Sequence, residues 1–567
     1  MIDLRQISQE RLMDHLRSLT RWTRLSGTAE ELEAARYVEG ELAKIGYRAR
    51  VVMHDAYISL PGAASLKVTA PAERDLACIT HSMVASTPEG GVRAHLLDAG
   101  TGAYADLERA AREGGVALVQ GRATPDLAAT ATRAGVPAVI CISGRIPHEM
   151  CCSPVWGNPS AETVGQLPAV PVLSVSREDG EWLRDLCRAG WVEVHLTAQV
   201  QTGWTQTPLV LAELPAGHPD AEPGKFVLFS GHLDSWYVGA MDNGGANAAM
   251  IETARLLAGT RDRWRRGLRL AFWSGHSHGR YSSSAWYADQ HWFDLDRNCV
   301  AHVNIDSIGG MGADYFQTNA MAETFDLCRW AVAEAVGAEL RMKRVARNSD
   351  QSFCGIGIPA LLGSVSRNPE QTPDLGWWWH TPEDTLDKID PDRLVRDTGV
   401  FVRAIERLLT DPVLPLDYAA SADDIAANLA ALSEAAGGRF DLGPALAAAE
   451  RLGQACRRLN EVARATGPGP DSVAVNAVLQ DLGRILIPAT YTAAGRHGHD
   501  PALDRGFLPG LQPVRRLADP DLDAGAARFL KVGLVRARNA LVDALERAAG
   551  RVEAFLAGRP GHVDRAS

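Results

Sequence analysis

The sequence predicts an α/β protein: a mostly parallel sheet between two helix layers, interrupted by a long insertion and followed by an all-helical region. Three observations carry that prediction. Over residues 208–412, short apolar runs alternate with helix-length segments, the rhythm of strands joined by crossover helices. Histidines and acids stand at the ends of those runs, in Gly231-His232-Leu233-Asp234-Ser235 and His302-Val303-Asn304-Ile305-Asp306, where open α/β sheets place their ligands. Beyond Pro415 the strand-like pattern stops and helical periodicity takes over.

At the N-terminus, Thr28-x-x-Glu31 forms a capping box ahead of Leu32, Ala35, Val38, Leu42 and Ile45, with Gly46 as the stop. Residues 47–58 alternate like a strand, punctuated by Pro61-Gly62. The insertion, residues 60–203, carries short apolar strands at 116–119, 138–142 and 168–175 and a helix over 177–186. In the next segment, strands are expected at 226–229, 268–273 and 302–305, and helices at 247–257 and 321–335. Gly244-Gly245 would let backbone come close to the site. Ser421-x-x-Asp424 then opens a helix with Ile425, Leu429 and Leu432 on one face, and Leu534, Leu541, Leu545 and Val552 stripe another.

The 567 residues suggest roughly three or four domains. A net charge of −11 without a Lys/Arg block argues against a nucleic-acid surface. The start, Met1-Ile2-Asp3-Leu4-Arg5-Gln6, lacks an apolar signal segment, and no run reaches the roughly 18 apolar residues of a membrane span. Nine scattered cysteines without a CxxC pair fit reduced thiols, so a cytoplasmic location is expected.

The chemistry lies in four side chains. His232 and Asp242, ten residues apart, together with Asp306 and His380, could hold two divalent ions that share Asp242 as a bridge. Such a pair polarises a carbonyl and activates water. Asp234 is expected to hold the His232 ring rather than to ligate. Singly, His232 or His380 reads as a hydrogen-bonded structural histidine, Asp306 as a cap and the tryptophan run 377–379 as core. The ordered set is what raises the metal reading.

That set resembles the co-catalytic zinc exopeptidases, in the branch of glutamate carboxypeptidase II and the transferrin receptor. Its carriers are Gly231-His232-Leu233-Asp234-Ser235, Gly239-Ala240-Met241-Asp242-Asn243-Gly244-Gly245, Asn304-Ile305-Asp306, Asn348-Ser349-Asp350 and His380-Thr381-Pro382-Glu383-Asp384-Thr385. The resemblance implies a three-layer α/β/α metallopeptidase-like catalytic domain (1–59 and 204–412), a protease-associated-like insertion (60–203) and a helical dimerisation-like domain (413–567). It also implies one or two zinc ions, a homodimer and a cis Asp242–Asn243 peptide.

One departure matters. The family carries a Glu-Glu pair after an apolar strand, the first as base and the second as ligand. Here Ser274-Gly275-His276-Ser277-His278-Gly279 puts His276 at the base position and Ser277 at the ligand position. Three readings follow: His276 serves as base, His276 or His278 ligates, or the site is silent as in the non-catalytic receptors.

With His276 as base, the expected reaction is hydrolysis of an amide or peptide bond, failing below roughly pH 6.5 as the imidazole protonates. Trp378, Trp379 and Phe353 suggest an aromatic pocket wall, and Arg496, with His497 and His499, could read a carboxylate. A small peptide or an N-acyl or amide metabolite fits that pocket. The rival is a catalytically silent binding or scaffold protein, favoured by the loss of both glutamates.

Overall fold

A computed structural model describes residues 1–559. The chain opens with α1 (Gln9–Leu19) and α2 (Ala29–Lys44). Thr28 caps α2 by accepting from Glu31 N, but the Glu31 carboxylate reaches back to Gly27 N at 2.6 Å instead of closing the expected box on Thr28.

β1 (Arg48–Ala70) runs well past the break expected at Pro61-Gly62. The chain absorbs that dipeptide as a register shift between Pro61 and Ala64. There β1 pairs only with one long strand on one side, so a missing N–H is tolerated. Along the insertion follow β2 (Val92–Asp98), β3 (Val116–Gln120), β4 (Val139–Ile142) and β5 (Val172–Val175). The partner of β1 is β6 (Glu193–Leu214), and β7 (Phe226–His232), β8 (Gly267–Trp273), β9 (Cys299–Ile305) and β10 (Ala360–Gly363) follow.

The main sheet has the order β10-β9-β7-β8-β6-β2-β3-β4-β5, and the short strand Cys78–Thr80 pairs antiparallel with β5 at that edge. β7 to β10 form one parallel block and β2 to β5 another. β6 joins them, pairing antiparallel with β8 at one end and β2 at the other. The boundary expected at residue 60 therefore falls inside β1, and the insertion continues the same sheet.

Period-two alternation explains the layers. On β6 and β7, Val210, Ala212, Val227 and Phe229 face a core shared with α3 (Ala246–Ala258) and α6 (Pro391–Thr410); α5 (Phe325–Val336) joins that core. Their neighbours Leu209, Leu211, Phe226 and Leu228 face a second core with Tyr287 of α4 (Ser282–Gln290). The insertion repeats the device: Val116 and Leu118 enter one cluster, Ala117 and Val119 another.

The C-terminal helices α7 (Tyr418–Ala435), α8 (Gly443–Ala465), α9 (Pro470–Tyr491) and α10 (Ala524–Ala557) have no separate core. Leu429, Leu452, Leu479 and Leu545 belong to the cluster that packs on β6 to β9. No helix among the described residues is long and apolar enough to cross a membrane.

Candidate metal centre

The carboxyl ends of β7, β8 and β9 meet at one edge. In the parallel register Trp273 lies opposite His232, and Asn304 opposite Ser230. His232 thus ends β7, Asp306 follows β9 directly, and the loop after β8 delivers His276 and Ser277 to the same place. Gly275 turns that loop at φ +62°, and a side chain there would collide with Ser282 Oγ.

Asp242 lies in an irregular turn before α3 and is joined to Asn243 by a cis peptide. Its carboxylate reaches two histidines: Oδ1 is 3.0 Å from His232 Nε2 and Oδ2 is 3.0 Å from His380 Nε2. Asp306 Oδ1 is 3.6 Å from His232 Nε2. The four residues expected to converge therefore do so.

Backbone contacts decide how the imidazoles are used. His232 Nδ1 is 2.9 Å from the Asp234 carbonyl, and His380 Nδ1 is 2.6 Å from the Glu149 carbonyl. A carbonyl only accepts, so each ring donates from Nδ1 and leaves Nε2 as an acceptor toward Asp242. Two acceptors 3.0 Å apart need a proton or a metal ion between them. Bonds of about 2.1 Å at a tetrahedral angle hold ligand atoms roughly 3.4 Å apart, close to these separations. His232 Nε2 is moreover buried without a hydrogen-bond partner. The donor set fits a divalent metal.

The carboxylates call for positive charge at His232 Nε2, which a proton or a metal ion supplies. Burial alone would lower the His232 pKa, but Asp234, Asp242 and Asp306 raise it well above the usual value. Burial would raise Asp242, yet hydrogen bonds from His232 and His380 hold it well below the carboxylate range. Burial lowers His380, only partly offset by Asp242.

Supporting groups surround the four. Asp384 accepts the backbone N–H groups of Met241 and Asp242 at 2.9 and 3.0 Å, and burial pushes its carboxyl up to about 7. Ser349 Oγ donates to Asp306 Oδ2 at 2.6 Å and accepts from Asn304 Nδ2 at 2.9 Å. Asp234 is fully buried and takes Ser26 Oγ at 2.6 Å and Ser277 N at 2.9 Å, with Oδ1 3.5 Å from His232 Nδ1. It holds ring and loop and does not line the cavity.

His276 Nδ1 lies 2.6 Å from Asp350 Oδ2, and Asp350 Oδ1 accepts from Ser284 Oγ at 2.8 Å. His232, His276 and Asp306 each offer a ligand atom within 4.8 Å of the others. The His276 ring, however, stacks on His232 with centroids 3.8 Å apart and planes 12° from parallel. An imidazole binds a metal along its in-plane lone pair, and two stacked, near-parallel planes cannot both contain one ion. As placed, the two rings do not share a metal.

Several expectations need correction. His278 is fully buried, with Nδ1 3.0 Å from Ser26 Oγ and its ring against Trp236, and it does not line the cavity. Phe353 packs between Trp273 and His302 in the second core, because its neighbours turn that segment inward. Trp378 is buried against Gly376 and Gly310. Arg496 is tied to Asp296 at 2.5 Å and lies over Trp292. His497 packs at a tilt against that same Trp292 and His499 pairs with Asp289. Gly244 gives room to Leu16 of α1, not to the metal site. Of the expected wall only Trp379 lines the cavity, which measures about 330 Å³ and also includes Met150, Cys151, Arg280, Tyr281 and Arg367.

Sequence reading assigned no role to Asp350, Ser349 or Asp384, although all three stand inside the motifs it singled out. It missed Glu149 entirely, since nothing in the insertion marks a residue that touches the His380 turn so far along the chain.

The model of peptidase family M28 matches residues 210–404. The chain is 27% identical over 395 residues to Aminopeptidase YwaD of Bacillus subtilis (strain 168), covering 67% of this chain and 80% of that protein. It is 27% identical over 236 residues to the probable glutamate carboxypeptidase VP8 of Zea mays, covering 37% of this chain and 32% of that protein. Among solved structures, a peptidase M28 precursor from Shewanella amazonensis SB2B aligns with a TM-score of 0.58 at 21% identity, over 72% of this chain and 96% of that one.

Proposed function

We propose that the protein is a metal-dependent hydrolase of a peptide or amide bond in a small substrate, with residues 210–404, which the model of peptidase family M28 matches, as its catalytic part. The observation that carries this reading is the sharing of Asp242, each of whose oxygens lies 3.0 Å from a different histidine. His232, Asp242 and Asp306 would hold one ion; His380 and Asp242 would hold the other. Zinc stands first, because the N/O donor set suits it and aminopeptidases similar in fold are described as zinc enzymes. A bound divalent ion supplies Lewis acidity, polarising the scissile carbonyl and acidifying water.

The chain's own residues do the remainder. Asp350 accepts the Nδ1 proton of His276 at 2.6 Å, which leaves Nε2 of a cavity-lining imidazole free as a base. His276 takes a proton from the attacking water and delivers it to the leaving nitrogen. Glu149 and Asp234 fix the ring orientations of His380 and His232 through their carbonyls, and Asp384 fixes the turn that carries Asp242. The Trp379 ring, stacked on His380, closes one wall.

The same proposal takes the insertion as a protease-associated-like roof. It includes a cytoplasmic location, supported by nine unpaired cysteines. It also includes a homodimer through the C-terminal helices, supported by exposed Phe529, Val532 and Val535 on α10. A second reading, a silent binding protein, draws on Ser277 at the ligand position, whose buried hydroxyl has no partner.

One experiment separates the two. The purified chain and a His232→Ala variant are analysed for zinc, then screened on dipeptides and N-acyl amino acids after zinc loading. Hydrolysis and stoichiometric zinc, both lost in the variant, support the enzyme. Less than one tightly bound ion, unchanged by the substitution and without hydrolysis, supports the silent protein.

A further inference from the structure

Two arginines line the cavity beside the proposed metal site, Arg280 and Arg367. They differ in one respect. Arg367 is ion-paired with Asp374 at 2.9 Å, so its charge is already answered. Arg280 has no carboxylate within 4.0 Å among the described residues. Its one side-chain hydrogen bond runs from a terminal nitrogen to the Ala502 carbonyl at 3.4 Å, and its Nε is buried without a partner. A guanidinium is always charged and presents donors in a fork that matches a carboxylate. An unanswered fork in a substrate cavity points to a ligand that brings the anion.

Placement narrows which anion. The guanidinium carbon lies 4.9 Å from the centre of the Tyr281 ring, and that ring meets His276 edge-on at 4.8 Å. Arg280 is therefore one aromatic ring from the proposed base. In a substrate cleaved next to its last residue, the free α-carboxylate sits about 4–5 Å from the reacting carbonyl carbon, and a contacting guanidinium adds about 3–4 Å. One ring is that span.

Three chain segments close around the position. Gly157 N donates to the Arg280 carbonyl at 2.7 Å, Ala502 takes the guanidinium, and Cys151 lines the wall. The cavity measures about 330 Å³, which suits a short substrate.

We propose that Arg280 binds the free α-carboxylate of the residue released by cleavage, making the substrate a dipeptide or an N-acyl amino acid and not an internal segment of a longer chain. The proposal rests on the hydrolase reading above. It replaces the expected reader Arg496, whose charge is spent on Asp296.

The test compares acid and amide forms of one substrate, such as glycyl-leucine and glycyl-leucinamide, with zinc-loaded wild type and with Arg280→Met and Arg280→Lys. Wild type should prefer the acid by about 10- to 100-fold in kcat/KM, the range expected for a hydrogen-bonded charge pair. The preference should shrink toward unity in Arg280→Met, chiefly through KM, and return in part in Arg280→Lys. An equal preference in wild type, or an unchanged ratio in Arg280→Met, overturns the proposal.

Calorimetric binding of N-acetyl-leucine and N-acetyl-leucinamide to the wild type and to Arg280→Met needs no turnover. Preferential binding of the acid that depends on Arg280 supports the proposal even if hydrolysis fails, in which case only the enzyme reading falls. Equal wild-type binding of acid and amide overturns it, whether or not Arg280→Met folds.

Discussion

Replacing Asp350 by asparagine isolates what the His276–Asp350 contact contributes, because the exchange preserves shape and changes hydrogen-bond polarity. Asp350 is buried, with Oδ1 taking the Ser284 hydroxyl at 2.8 Å and Oδ2 taking His276 Nδ1 at 2.6 Å. An asparagine whose oxygen keeps Ser284 must turn its NH₂ toward His276. Nδ1 then becomes the acceptor, the ring proton moves to Nε2, and the nitrogen facing the cavity can no longer take a proton. A tautomer reversal of this kind costs on the order of 10⁴ in kcat in a serine protease triad. Proton transfer by carriers other than His276 sets the lower end of the expectation, at about 100-fold. KM and bound zinc should change little, since neither substrate nor ion touches Asp350 in this account. The assay is dipeptide hydrolysis by zinc-loaded protein, with metal analysis and ¹⁵N imidazole shifts to read the tautomer. Retention of kcat within about threefold, with the tautomer reversed, would refute a proton-carrying role for His276.

Zinc should raise the melting temperature of the wild type, by about 2.7 kcal/mol of stability at a hundredfold excess over its dissociation constant, and Asp242→Asn should abolish that shift in a thermal-shift titration. Ser349→Ala removes the 2.6 Å hydroxyl bond that orients Asp306, so zinc affinity should fall about 10- to 100-fold by competition with a chelating dye. Far from the site, burial pushes Glu323 from 4.5 up to about 7. The folded chain then holds a proton that the unfolded chain gives up, so stability falls as pH rises from about 4.5 to 7, by at most about 3 kcal/mol. Glu323→Gln should therefore melt higher than wild type at pH 8 and nearly alike at pH 4; equal differences at both would reject the assignment.

The alternation of apolar residues made the layers of the sheet legible, because a period of two on β6 and β7 sends Val210 and Leu211 into different cores. The metal ligands were legible for a related reason: His232 and Asp306 end parallel strands, and a sheet brings its strand ends to one edge. What the sequence hid were contacts between segments far apart in the chain. Glu149 reaches His380 only because β1 and β6 carry the insertion back over the site. Phe353 and Arg496 looked available because composition does not reveal partners; a hydrophobic pocket claimed the first and Asp296 the second. Arg280 was passed over beside the two histidines of its own loop, although a lone cation in a loop aimed at the site was the available signal.

Zinc-edge anomalous diffraction from crystals grown with zinc tests the central claim most directly. A peak within about 2.0–2.2 Å of His232 Nε2 and of oxygens from Asp242 and Asp306 is predicted, with His276 still paired to Asp350. An anomalous map without a peak at Asp242, from crystals whose zinc content is verified, would contradict it.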